Sequence, residues 1–232
     1  MKTIGLIGGM SWESTVTYYQ VINETIRKEL GGLHSAKVII NSVDFAPIAE
    51  AQERDDWDSC AGEMLKAAQS LERAGADLIL IGANTMHICA PYVQEHCSVP
   101  LLHIADATIE RLKRDHINTV ALLGTRYTMC MDFYKERIIK SGISVLIPEK
   151  DIDTVNNIIY DELCQGILSG QSKQKLLDII SALKEKGAQG VILGCTELGL
   201  LVAQSDTDLP VYDTTLIHGE EAVLEALKSD SE

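Results

Sequence analysis

Short runs of branched apolar residues punctuate the chain, and each is followed by a stretch in which apolar residues recur every three or four positions. The runs read as buried strands over Thr3–Ile7, Lys37–Val43, Asp77–Ile81, Leu101–Ile104, Thr119–Leu123, Ser144–Ile147, Gly190–Leu193 and Pro210–Tyr212. Between them lie helical stretches such as Ser14–Glu29, Asp58–Ala74, Thr108–Arg114 and Ser172–Lys186. Strands apolar along their whole length, alternating with helices, predict a parallel sheet covered on both faces. An eight-fold α/β barrel would need more even helices, and 232 residues stand at its lower limit. Two open α/β halves fit better.

The chain also matches itself. Thr3-Ile4-Gly5-Leu6-Ile7-Gly8 reads like Thr119-Val120-Ala121-Leu122-Leu123-Gly124, and the stretch from Gly75 to Ala83 aligns without a gap to the stretch from Gly187 to Cys195. Pro100-Leu101 and Pro210-Val211 then follow as the next strand starts. Order and spacing agree over three blocks, so the expected fold class is α/β with two pseudo-symmetric open domains, each a mainly parallel sheet flanked by helices. The expected division is 1–103 plus 213–232 for the first domain and 104–212 for the second. Ala83 and Cys195 become equivalent positions, each at the C-terminal end of a strand, the edge where open parallel sheets bind ligands.

Composition narrows the partners. Twenty Lys and Arg against 34 Asp and Glu leave a net charge of −14, which repels nucleic acid and anionic membrane surfaces. Nothing approaches the ~20 apolar residues of a membrane helix, and the opening residues carry no secretion-signal pattern. The expectation is a cytoplasmic protein whose six cysteines stay as free thiols.

Several motifs carry candidate chemistry. Gly5, Gly8 and Gly9 after the first strand do not make the dinucleotide spacing, but they suit a small-anion loop in which Ser11 or Ser14 caps the next helix. A Walker A loop and a G-x-S-x-G elbow are absent, and the six histidines lack metal-ligand spacing, so no metal is expected. Cys89 and Cys97 read as buried structural cysteines. Gly194-Cys195-Thr196-Glu197 sits where a strand gives way to a predicted helix, whose first amides would stabilise a thiolate at Cys195. Thr196 offers a hydroxyl to a carboxylate; Glu197 would hold a substrate ammonium or cap its own helix. In the first half His87 either polarises a substrate group or is a satisfied core side chain.

Taken together, Ile4-Gly5-Leu6-Ile7-Gly8-Gly9-Met10-Ser11-Trp12-Glu13-Ser14-Thr15, Asn84-Thr85-Met86-His87, His103-Ile104-Ala105-Asp106-Ala107, Leu123-Gly124-Thr125-Arg126-Tyr127-Thr128-Met129 and Gly194-Cys195-Thr196-Glu197 resemble the aspartate/glutamate racemase family over nearly the whole chain. Glu197 after the Cys-Thr pair looks like the aspartate racemase branch. The resemblance implies cofactor-independent racemisation of aspartate or glutamate, a site in the cleft between two similar α/β domains, and a homodimer. Inverting a carbon by proton transfer needs removal from one face and return to the other, hence two opposed groups. The resemblance puts Cys195 on one face and position 83 on the other. Asn84, Thr85, Thr125 and Thr196 would supply hydrogen bonds to the substrate carboxylate, with Met10, Ser11 and Gln52 lining its distal side.

Two departures stand out. Ala83 holds the place of the first-domain base, and a methyl group cannot move a proton. The Arg near Gln52 and the Lys near Cys164 that many aspartate racemases use for the distal carboxylate are missing, which leaves neutral donors, helix amides and Arg126. Ala83 reads either as a substitution that traps substrate or as a natural one-base variant, with impaired turnover in both cases. Two alternatives remain open: an amino-acid or dicarboxylate binding protein without turnover, and an enzyme of the maleate isomerase or decarboxylase kind that works with a single cysteine.

Overall fold

The computed structural model describes residues 1–228; positions 229–232, assigned above to the first domain, lie outside the described residues. Along the chain run β1 (Ile4–Gly8), α1 (Trp12–Leu30), β2 (Val38–Ser42), α2 (Phe45–Glu53), α3 (Trp57–Arg73), β3 (Leu78–Ile81) and α4 (Ala90–His96). They are followed by α5 (Ile104–Arg114), β4 (Thr119–Gly124), α6 (Arg126–Cys130), α7 (Asp132–Lys140), β5 (Ser144–Leu146), α8 (Ile152–Asn157), α9 (Gly170–Glu185), β6 (Val191–Gly194), β7 (Val211–Asp213) and α10 (Thr214–Leu227). Contacts divide the chain into two compact units, one of Met1–Ile104 with the chain from His218 on, the other Ala105–Ile217. The return comes at 218 rather than 213 because β7 pairs with β6 through Asp213, and the Thr214 hydroxyl then donates to the Leu193 carbonyl.

Each unit is built on a parallel sheet, in the order β2-β1-β3 in the first and β5-β4-β6-β7 in the second. The central strands β1 and β6 and the edge strand β3 are buried throughout, while the edges β2 and β5 are partly exposed. Side chains alternate across the first sheet as a strand requires. Ile4, Leu6, Leu78 and Leu80 pack with Tyr18, Ile22 and Ile26 of α1 and Val223 of α10, whereas Ile7, Ile79 and Ile81 pack with Met64, Ala67, Ala68 and Leu71 of α3. The i, i+4, i+8 spacing of Tyr18, Ile22 and Ile26 aims one face of α1 at the sheet. In the second unit Ala121, Leu123, Val191 and Leu193 lie against Leu176, Ile180 and Leu183 of α9.

The expected strand over Leu101–Ile104 shrinks to a single parallel bridge between Leu101 and Ile79. Pro100 accepts from the Ile79 amide and Leu102 donates to the Ile79 carbonyl, but the Ile104 amide goes to the ring of His87 and α5 begins there. In the second unit, the corresponding place is filled by the true strand β7, so the repeat holds in topology and fails in length.

Strand-end glycines recur in both units, each confined within its own sheet. A Cβ on Gly82 would come within 3.0 Å of the Ile7 carbonyl oxygen, and one on Gly194 within 3.0 Å of the Leu123 carbonyl oxygen. Gly124 is equally confined: its Cβ would meet the Gly194 carbonyl at 2.9 Å and Thr128 at 3.1 Å. Backbone cannot yield as a flexible side chain does, so Gly124→Ala should cost about 2 kcal/mol of stability. Urea denaturation would measure it; an unchanged midpoint would show that the two strand ends part freely.

Candidate active site

In the first unit the candidate residues gather where β1 and β3 end. Gly9, at φ 91°, presses against β2, since any Cβ there would lie 2.2 Å from the Val43 carbonyl oxygen. Its amide donates to the Thr15 hydroxyl at 2.8 Å, and Ser11 N-caps α1 by accepting from the Ser14 amide at 3.4 Å. Met10 and Ala83 are buried in one apolar cluster with Met86. Gln52, buried on α2, donates its side-chain amide to the Met86 sulfur at 2.9 Å. Asn84 and Thr85 are buried at the start of a tight helical turn, Thr85–Cys89.

His87 lies on that turn and is fully engaged by backbone. Its Nε2 accepts from the Ile104 amide at 3.2 Å, so Nδ1 carries the proton and donates to the Ala83 carbonyl at 2.9 Å. Burial, then the neighbouring His103 and His218, holds its pKa well below the ordinary histidine range. With both ring nitrogens committed, His87 is the satisfied core side chain of the two readings above, tying the Ala83 turn to the start of α5.

In the second unit Thr125 and Cys195 follow neighbouring strands, β4 and β6, whose last residues Gly124 and Gly194 are paired. Thr125 caps α6 by accepting from the Thr128 amide at 3.3 Å, and the two hydroxyls lie 3.2 Å apart. Ser11 and Ser14 repeat this arrangement in the first unit, their hydroxyls also 3.2 Å apart. Cys195 is 9% exposed, as is Ala83. Its thiol donates to Glu197 Oε2 at 2.9 Å, and the Thr196 hydroxyl donates to the same oxygen at 2.7 Å.

The profile of the family described as Asp/Glu/Hydantoin racemase matches residues 7–222. The chain belongs to this family. A crystal structure of a candidate Asp/Glu racemase from Yersinia pestis is 49% identical, covering 98% of this chain and all of that one with a TM-score of 0.92. An aspartate racemase homologue from Pyrococcus horikoshii OT3 is 36% identical over 98% of this chain and 100% of its own, with a TM-score of 0.86. RacX of Bacillus subtilis, named a broad specificity amino-acid racemase, is 24% identical over 91% of this chain and 92% of its own length.

Against that family background, the electrostatics of Cys195 correct one expectation. The segment after β6 is no helix of any length but a three-residue turn, Leu198–Leu200, and Glu197 makes no side-chain cap on it. Instead of helix amides stabilising a thiolate, burial, then the negative charge of Glu197 and its hydrogen bond to the thiol, push the Cys195 pKa well above the ordinary thiol range. At neutral pH the side chain is a thiol.

Tyr160 escaped the sequence reading altogether. It lies in a π-helical turn, Ile158–Glu162, and its phenol is pushed up by burial and then by Cys195, Tyr127, Cys164 and Glu197, which places it beside the Cys-Thr-Glu triplet. Arg126 is held by an ion pair with Asp153, and its amide donates to Asn156. Cys89 and Cys97 are buried free thiols flanking α4, and burial pushes Cys89 up to about 12. Among the described residues no group of three His, Cys, Asp or Glu side chains could hold a metal ion, and no helix is long and apolar enough to cross a membrane.

Proposed function

We propose that this protein is an amino-acid racemase of the cofactor-independent kind, acting on aspartate or glutamate, in which Cys195 exchanges the α-proton on one face and position 83 marks the other. The observation that carries the reading is a buried thiol at the end of β6 with a proton acceptor 2.9 Å away and the Thr125 hydroxyl on the adjoining strand end. An α-hydrogen is a very weak acid, so the carbanionic intermediate must be stabilised by hydrogen bonds to its carboxylate. Asn84, Thr85 and Thr125 are the donors for it, with Met10, Ser11 and Gln52 bounding the side chain; the Thr196 hydroxyl, expected to join them, has its single proton on Glu197. The relatives' names, the aspartate racemase homologue and RacX among them, support the amino-acid substrate class. The homodimer and the cytoplasmic setting come with the same reading.

Two experiments test it. Aspartate or glutamate should bind without metal or pyridoxal phosphate, and in heavy water one enantiomer should take up deuterium at Cα, followed by NMR. In calorimetry, a Thr125→Val variant should bind at least about tenfold more weakly, since a lost hydrogen bond to a charged group is worth about 1.5–3 kcal/mol. Binding that needs an added cofactor, or a Thr125→Val variant that binds as tightly as the parent, overturns the reading.

A second reading is favoured by one specific observation, the Cys195 thiol donating to Glu197 at 2.9 Å. A thiol held in that way, in a chain with a methyl group at position 83, is the equipment of a one-thiol proton donor, which protonates a carbanion formed by another bond cleavage. Carbon dioxide release from an arylmalonate, with no exchange of aspartate, would favour that chemistry.

A further inference from the structure

The exposed apolar side chains of α1 line up along one flank of the helix. Trp12, Val16, Tyr19 and Leu30, with Asn23 among them, follow the three- and four-residue steps of a helical stripe, and the four apolar members are 43% to 66% exposed. This stripe lies apart from Tyr18, Ile22 and Ile26, which aim at the sheet. Asn23 Oδ1 accepts from the Ala36 amide at 3.1 Å, so the flank looks towards the chain that leads into β2, the outer strand of its sheet. Ile40 of β2 extends the patch. It is exposed and, by strand alternation, shares the α1 side of the sheet with Val38, whereas Ile39 packs on the α3 side. Exposed apolar residues scattered singly need no explanation, but a contiguous patch rimmed by polar residues marks an interface.

We propose that a second copy of this chain covers the patch, with α1 of each copy packed antiparallel against α1 of the other about a two-fold axis near Tyr19 and Asn23. Charge selects this occupant and this direction. Each copy carries a net charge of −14, so two copies repel unless their contact brings opposite charges together. Helix α1 has Glu13 in its first turn and Arg27 and Lys28 in its last, and within the described residues none of these side chains has an ion-pair partner. Parallel packing would set Glu13 against Glu13 and Arg27 against Arg27. Antiparallel packing centred on Tyr19 and Asn23 brings Trp12 to Leu30 of the second copy and Glu13 to its Arg27, and the two-fold axis makes each contact twice. The helix dipoles then add to the attraction, since each N-terminus lies beside a C-terminus. The seam ends one residue from Ser11, the cap of α1, so the second copy reaches the start of the loop that the proposed function places beside the substrate. The inference rests on the racemase reading for the expectation of a homodimer, and names the surface that makes it.

Sedimentation equilibrium of the full chain over a range of concentrations, at low salt, tests it without any substrate. The parent should be a dimer. Tyr19→Glu changes an exposed side chain and leaves the buried face of α1 intact, which circular dichroism would confirm; it should weaken the dimer at least about thirtyfold, the usual cost of losing a central aromatic anchor. Glu13→Arg should weaken it at least about threefold, and less as salt is added, because two ion pairs become two repulsions. Adding Arg27→Glu to Glu13→Arg exchanges the charges and should restore the parent's affinity. A parent that stays monomeric overturns the inference, as does a dimer that Tyr19→Glu leaves intact or a double variant no tighter than Glu13→Arg alone. A chain that exchanges no acidic amino acid defeats the proposed function instead, while the masses still decide whether α1 joins two copies.

Discussion

Ala83→Cys should interconvert the enantiomers of aspartate about 10²–10⁴ times faster than the chain as it stands, the usual worth of one positioned acid–base group. The parent sequence has one thiol at the relevant strand ends. Cys195 can take a proton from its own face and give one back to that face, so the expected behaviour of the parent is deuterium uptake with retention and no more than trace racemisation. If position 83 serves the opposite face, as proposed, its methyl group offers no proton there, and the neighbouring His87 cannot replace it because backbone groups hold both its ring nitrogens. Position 83 is suited to the change: it follows Gly82 as Cys195 follows Gly194, with the same close backbone approach before it and the same 9% exposure. Ala83→Thr should act in the same direction, and adding Cys195→Ala to either variant should abolish interconversion. Chiral chromatography of aspartate and glutamate, with the deuterium measurement alongside, checks all of these. Rapid racemisation by the parent would assign the second proton transfer to another group, and equal exchange in Cys195→Ala would remove Cys195 from the chemistry.

The fold was legible wherever local pattern and burial point the same way. The runs at Thr3–Ile7, Thr119–Leu123 and Gly190–Leu193 became β1, β4 and β6 within a residue at each end, because strands buried on both faces leave little freedom in composition. Leu101–Ile104 had the same composition and became one bridge, since its fate turns on a bond from the Ile104 amide to His87, seventeen residues away. The error at Cys195 has a similar origin. Gly-Cys-Thr-Glu after a strand suggests helix amides below a thiolate, but the turn there is three residues long and the nearest charge is the carboxylate two residues on, folded back onto the sulfur. Which way a glutamate turns is a matter of side-chain geometry that spacing does not encode. Tyr160 left no signal because a π-helical turn breaks the 3.6-residue period on which helical readings depend. The repeat, by contrast, pointed to chemistry through glycines alone, and the paired hydroxyls of Ser11 with Ser14 and Thr125 with Thr128 extend it to side chains that no alignment of the two halves had matched.

Acid should unfasten the first unit before the carboxylates that lie on its surface can account for it. His218 is buried, with Nε2 donating to the Leu102 carbonyl at 2.9 Å, which leaves Nδ1 of the neutral ring to accept from the Tyr18 hydroxyl at 2.8 Å. Burial lowers its pKa to about 4, from 6.5 in an unfolded chain. Between those values the unfolded chain binds a proton that the fold refuses, so stability is at its full value above pH 6.5 and falls as the pH drops through 4. The shift corresponds to about 2–3 kcal/mol between pH 7.5 and 4.5, and His87, 5.7 Å from His218 between ring centres, adds to the loss with the same sign. Both tryptophans, Trp12 and Trp57, lie in this unit, so their fluorescence during urea titration reports its unfolding. His218→Gln, which can still donate to Leu102 and accept from Tyr18, should flatten the dependence on pH by about 2–3 kcal/mol across that window. The surface carboxylates contribute equally to parent and variant, so they cancel in the comparison, and parallel curves for the two would show that His218 does not carry the acid sensitivity of the unit.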